Sequence, residues 1–308
     1  MKDNPGECSV TDDRKTAADF PREVLTLFDQ YVHGSLSRRG FLDGSARVLG
    51  SVAAASAVLG ALTPDFVGAQ VVAPDDKRIA TTRVDIASPE GSGTIKAYVA
   101  RPKGASRRSR KPVVLVIHEN RGLNPHIEDI ARRLATAGFI AVAPDALTAL
   151  GGYPGTEDAA RALFGKLDQA RIFTDFLAAA RWAEALPDGN GKLGATGFCY
   201  GGGIVGRLAT RMPSLRAGAP FYGSPPPIEG IPAIKAELVV HLAANDERVN
   251  AQWPAAEAAL KAAKTRAQIL VYPGVEHGFN NDTTPRFDKA AADLAWARTL
   301  ALFRKRLG

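Results

Sequence analysis

From residue 83 onward the apolar positions fall into two alternating periods. Residues 83–88 and 94–100 have strand character on either side of Pro89-Glu90-Gly91-Ser92-Gly93, which predicts a hairpin. Val113-Val114-Leu115-Val116-Ile117 is an unbroken apolar run rich in β-branched residues, the pattern of a strand covered on both faces. The pattern then predicts a helix over 127–138, a strand over 139–143 that ends at Pro144-Asp145, a Gly/Pro loop over 150–155 and a long helical region over 157–186. A strand over 192–198 and a helix over 202–211 follow. Strands over 217–222, 237–243 and 267–272 alternate with a helix over 253–263, and an amphipathic helix closes the chain over 286–304. Such alternation predicts one α/β domain over 70–308, with a mostly parallel central sheet flanked by helices on both faces.

The first 69 residues read differently. Ser37-Arg38-Arg39-Gly40-Phe41-Leu42 precedes a weakly apolar stretch over 44–62 that is rich in Ala, Val, Leu, Gly and Ser. This order resembles a twin-arginine export signal. The resemblance implies recognition by the twin-arginine translocation machinery and a periplasmic destination. Val67-Gly68-Ala69 before Gln70 fits a small-residue cleavage site, so residues 1–69 are expected to be removed. An anchor left uncleaved in the membrane and a retained cytoplasmic form are the alternatives. Arg47 and several serines interrupt the apolar stretch, so no stable membrane span is expected. Asp43 stands where such signals often carry Lys. Upstream, Phe20, Val24, Leu27, Phe28 and Tyr31 recur at helical spacing, the pattern of an amphipathic helix docking on the body.

Composition narrows the chemistry. The chain has 308 residues, 45% hydrophobic and 23% charged, enough for a sizeable core without disulfides. Its two cysteines, Cys8 and Cys199, exclude a disulfide scaffold or a multi-cysteine metal module, and the histidines lack ligand spacing with other donors, so no metal and no cofactor is implied. The net charge is +7; without residues 1–69 it becomes +9, since that segment holds seven basic and nine acidic residues. Clusters such as Arg107, Arg108, Arg110 and Lys111 lack interleaved aromatics, which points to a solvated face and not to a nucleic-acid partner.

The most informative segment is Gly194-Ala195-Thr196-Gly197-Phe198-Cys199-Tyr200-Gly201-Gly202-Gly203. It places Cys199 among small residues where a buried strand meets a helix. A strained turn there lifts the side chain above the sheet, and neighbours without a Cβ let strand and helix approach. This is the nucleophile elbow, with cysteine in the serine position. The helix N-terminus favours the thiolate, and the Tyr200 amide is placed to stabilise an oxyanion. Two partners follow in order: Asp246 on the loop after strand 237–243, and His277 on the loop after strand 267–272. Glu247 competes with Asp246, which comes first after the strand. Nucleophile, acid and base in that order, each following a sheet strand, is the α/β-hydrolase arrangement.

Residues 83–307 resemble the dienelactone hydrolase (carboxymethylenebutenolidase) family. The resemblance rests on Gly197 to Gly202, on Asp246 with Val249, on His277-Gly278-Phe279, and on Val116 to Asn124 with the segment beyond it. It implies a hydrolase that opens a lactone or small carboxylic ester through a Cys-His-Asp triad and an acyl-thioester. It further implies that Glu119 contacts the thiol and that the Asn120 amide is the second oxyanion donor. Family members hold the substrate carboxylate with a basic residue shortly after the histidine; here the chain reads Asn280-Asn281-Asp282, with no arginine before Arg286. Arg121 is a candidate substitute, and Tyr153, Tyr222 and Phe279 are candidates to line the pocket, with core packing as the alternative for each. Two other functions fit the same scaffold: a thiol-based redox protein, which would want a resolving cysteine, and a non-catalytic ligand-binding protein.

Overall fold

A computed structural model describes residues 14–308; Cys8 and the rest of residues 1–13 lie outside the described part. Three helices come first, α1 (Arg22–Val32), α2 (Arg38–Leu49) and α3 (Val52–Ala61). The body follows as β1 (Ile79–Ser88), β2 (Gly93–Pro102), β3 (Lys111–Ile117), α4 (Pro125–Thr136), β4 (Ile140–Pro144), α5 (Glu157–Phe164), α6 (Gln169–Glu184), β5 (Gly189–Phe198) and α7 (Tyr200–Arg211). It is completed by β6 (Ala217–Phe221), β7 (Glu237–Ala243), α8 (Glu247–Asn250), α9 (Trp253–Ala262), β8 (Ala267–Tyr272) and α10 (Lys289–Leu307).

The eight strands form one sheet in the order β1-β2-β4-β3-β5-β6-β7-β8. β1 and β2 are the expected hairpin, and β2 runs antiparallel to β4; every pairing from β4 to β8 is parallel. Side chains alternate across a strand, so β3 feeds two cores. Val113, Leu115 and Ile117 join one with Phe176 and Leu208, while Val114 and Val116 join the other with Ile130 and Phe303. Burial on both faces explains the unbroken apolar run of β3.

Three of the predicted helices keep their bounds to within two residues, and two depart further. The region over 157–186 is broken after Phe164, and α6 restarts where the Asp168 side chain accepts from the amides of Ala170 (2.9 Å) and Arg171 (3.2 Å). Periodicity continues across this break, but the carboxylate satisfies amides that an unbroken helix would leave no room to cap. The last helix starts at Lys289, capped by Asp288 accepting from Ala291 N at 2.8 Å, and runs on to Leu307.

The N-terminal helices form their own apolar cluster of Phe20, Val24, Leu25, Phe28, Tyr31, Phe41, Leu59 and Leu62. α1 is therefore the amphipathic helix that its spacing predicts. α2 and α3 meet at a bend of 113°, at Gly50, whose φ of +83° suits glycine. Among the described residues no single helix is long and apolar enough to cross a membrane. The unit is fastened to the body by polar contacts. Arg38 Nη1 donates to Asp158 Oδ2 (2.6 Å), Arg161 Nη1 to Tyr31 O (2.7 Å), and Asn120 Nδ2 and Arg121 Nη2 to Val32 O (3.0 Å each). Tyr31 also bonds Asp158, and the Arg161 guanidinium lies 3.8 Å from the Tyr31 ring centre.

Candidate active site

The turn between β5 and α7 holds Cys199 at φ 54°, ψ −112°, a strained conformation for a residue with a Cβ. The surrounding glycines are required by contact. A Cβ on Gly197 would lie 2.3 Å from Gly201 O, one on Gly201 would lie 2.3 Å from Ile117 O, and one on Gly202 would lie 2.7 Å from Phe221 O. All three obstacles are backbone, so the helix can enter the sheet here only without those side chains. Tyr200 opens α7, and its N–H is one of those that a helix leaves without an intrahelical acceptor.

β7 and β8 deliver the other two residues. Asp246 caps α8, with Oδ1 accepting from Val249 N at 3.2 Å, and its Oδ2 lies 2.5 Å from His277 Nδ1. Both are buried. A ring nitrogen of His277 and Cys199 Sγ lie within 4.8 Å of each other. Burial alone would raise the Cys199 thiol; the imidazoles of His33 and His277 outweigh it and bring the thiol down to about 5. Burial alone would lower His277, but the thiolate and the Asp246 carboxylate carry it up to about 10.

The remaining candidates are placed as follows. Glu119 lines a cavity of about 380 Å³ together with Cys199 and His277, and its Oε2 accepts from Asn281 Nδ2 at 3.2 Å. The hydrogen-bond contact to Sγ comes instead from His33 Nε2, at 3.3 Å. Asn120 lines the same cavity. Arg121 lines it too, but is buried and engaged with Val32 O, Asn120 and Glu157, the last at 3.4 Å. Tyr222, with φ 37°, packs 4.9 Å from the His277 ring and lines a second cavity of about 500 Å³, which Cys199, His277, His33 and Asn120 also border. Tyr153 bonds Glu157 at 3.1 Å and borders neither of these cavities, and Phe279 is fully buried between Tyr222 and Tyr272 as core.

Two residues at the site were not singled out in the sequence. Arg286 borders the first cavity, with its guanidinium packed against Gly278; the turns over 278–285 fold it back towards His277. His33 arrives from the N-terminal unit. Its signal was the Asp29–His33 pair, four residues apart at the end of a helix already known to dock.

The mostly parallel sheet, the glycine-cradled elbow, and Asp246 and His277 on successive strand ends define an α/β-hydrolase fold. The family model described as "Dienelactone hydrolase family" matches residues 95–307, and a second, "YqhI-like", matches residues 12–49. A protein of Escherichia coli (strain K12) named "Putative carboxymethylenebutenolidase" is 31% identical over 249 residues, covering 76% of this chain and 90% of that protein. The crystal structure titled "Putative Dienelactone Hydrolase" from Klebsiella pneumoniae subsp. pneumoniae superposes with a TM-score of 0.63 at 30% identity, covering 73% of this chain and 99% of its own. A dienelactone hydrolase-like promiscuous phosphotriesterase from metagenomic libraries gives 0.63 at 25% identity, covering 75% and 100%. The chain belongs to the dienelactone hydrolase family and is a hydrolase.

Proposed function

We propose that the protein hydrolyses a lactone or small carboxylic ester, with Cys199 as nucleophile and His277 and Asp246 completing the triad. The observation that carries this reading is the Asp246–His277 hydrogen bond of 2.5 Å aimed at a cysteine on a strained elbow. The Cys199 thiolate attacks the substrate carbonyl, and the amides of Tyr200 and Asn120 receive the oxyanion. The C–O bond breaks, the alcohol leaves with the proton held by the imidazolium beside the sulfur, and an acyl-thioester remains. His277, oriented by Asp246 through Nδ1, takes a proton from water at Nε2; the hydroxide adds to the thioester carbonyl, the C–S bond breaks to release the acid, and the thiolate–imidazolium pair is restored. Thiolate is a better leaving group than an amine, so an amide substrate would expel the sulfur and return unchanged.

Glu119 shares the first cavity with the sulfur, and its carboxylate is held by Asn281. It shapes the acyl side in this reading, and the thiol is activated by imidazole. The test is a panel of p-nitrophenyl acetate, enol-lactones and short-chain esters against the wild type and Cys199→Ala. Turnover should vanish in the variant, and undiminished turnover would remove Cys199 from the reaction.

A further inference from the structure

The triad leaves one group at the reaction centre unused. His33 caps the C-terminus of α1, and its Nε2 lies 3.3 Å from Sγ. Its ring meets the His277 ring edge-on, with centres 4.7 Å apart and planes at 85°. Behind it stands a carboxylate. Asp29 Oδ1 is 3.1 Å from His33 Nδ1, and Asp29 O is 2.7 Å from the same nitrogen. Asp29 is itself faced by Arg248 (3.4 Å) and Arg286 (3.9 Å). Two oxygen acceptors at Nδ1 fix the proton there, so neutral His33 presents the lone pair of Nε2, towards Sγ and towards Arg248 Nη2 at 3.1 Å. The sulfur thus stands between two carboxylate-backed imidazoles, one from the hydrolase body and one from the N-terminal unit.

We propose that His33 is a second acid–base residue of the active site, supplied by the N-terminal unit and serving acylation. The inference rests on Cys199 being the nucleophile. In the resting ion pair His33 Nε2 holds the proton given up by Sγ, and the electron pair of the thiolate forms the C–S bond as the carbonyl π pair moves onto its oxygen. When the tetrahedral intermediate collapses, the C–O bond to the alcohol breaks, and the departing oxygen takes that electron pair together with the proton on Nε2. His33 returns to neutral, and His277 is left to accept the proton of the incoming water. One imidazole serves each half of the reaction. It follows that residues 14–69 belong to the working enzyme, and that cleavage between Ala69 and Gln70 would remove one of the two proton carriers.

A leaving-group comparison in the full chain separates this role from a structural one. The substrates are p-nitrophenyl acetate, whose leaving oxygen is stable as an anion, and ethyl acetate, whose leaving oxygen needs a proton. Rates are normalised to reactive thiols titrated in each sample, so that loss of folded protein cancels. His33→Gln should lower kcat/KM for the ethyl ester by about 10²-fold or more, and for the nitrophenyl ester by less than about tenfold. Equal losses on both esters, or no loss, would overturn the proposal. If Cys199→Ala is inactive and His33→Gln is unselective, only the His33 role fails; if Cys199→Ala still turns over, the nucleophile reading fails first. Full ethyl-esterase activity in a species whose intact mass starts near Gln70 would also overturn it.

Discussion

Replacing Gly201 by alanine tests the geometry on which the elbow depends. The added Cβ would lie 2.3 Å from Ile117 O and 2.7 Å from His118 O, against an ordinary carbon contact of about 3.5 Å or more. Both obstacles belong to the main chain at the end of β3, which is fixed by pairing to β4 and β5, so relief requires α7 to move by about 1 Å. Overpacking of this kind costs about 1–3 kcal/mol. A domain of this size would then melt about 2–10 °C lower. The same movement carries the Tyr200 amide and Sγ with it, and a misplacement of about 1 Å can cost about 10²-fold in rate. Gly203→Ala, two residues along the same helix, is the control. Its Cβ would meet Ser224 at 3.7 Å, an ordinary contact, and helix propensity should make it neutral or stabilising by about 0.5–1 kcal/mol. Calorimetry and steady-state kinetics on both variants read the difference. A Gly201→Ala protein as stable and as active as the wild type would refute the steric account of the elbow.

Asp246→Asn should lower kcat by about 10²–10⁴-fold with little change in KM, because the amide no longer fixes the proton on His277 Nδ1; a loss confined to KM would contradict that role. The thiol is brought down to about 5, so thiolate is present above that pH and lost below it. The rate of iodoacetamide alkylation should accordingly rise through about pH 5 to a plateau, and a first rise near pH 9, where an ordinary thiol titrates, would show that the imidazoles do not hold the anion.

The body of the fold was legible because its strands are buried on both faces and its glycines sit where backbone must meet backbone. Residues 113–117 read as a central strand from composition alone, and the spacing around Cys199 encoded a contact that the structure shows atom by atom. The break between α5 and α6 was hidden because the apolar period runs through it, and only Asp168 marks the restart. The site was half legible. Cys199, Asp246 and His277 follow strands in chain order, so their convergence comes from topology. Glu119, expected from the resemblance to contact the thiol, lines the cavity beside it and accepts from Asn281. His33 and Arg286 come together with Cys199 through packing over 166 and 87 residues of intervening numbering, which no local pattern expresses. The apolar stripe of α1 announced that it would dock; nothing along the chain said that it would dock over the sulfur.

The Cys199 sulfur borders two chambers at once, one roofed by Phe28, Tyr31, Leu59 and Leu62, the other walled by Tyr200, Ser224, Pro225 and Arg248. An ester poised across that partition would lodge its acid portion and its alcohol portion in separate rooms. Preference for the length of one portion could then drift through changes in one wall while tolerance for the other stayed fixed, and the roof, being built from a different stretch of chain than the wall opposite, could be remodelled without disturbing the sheet beneath.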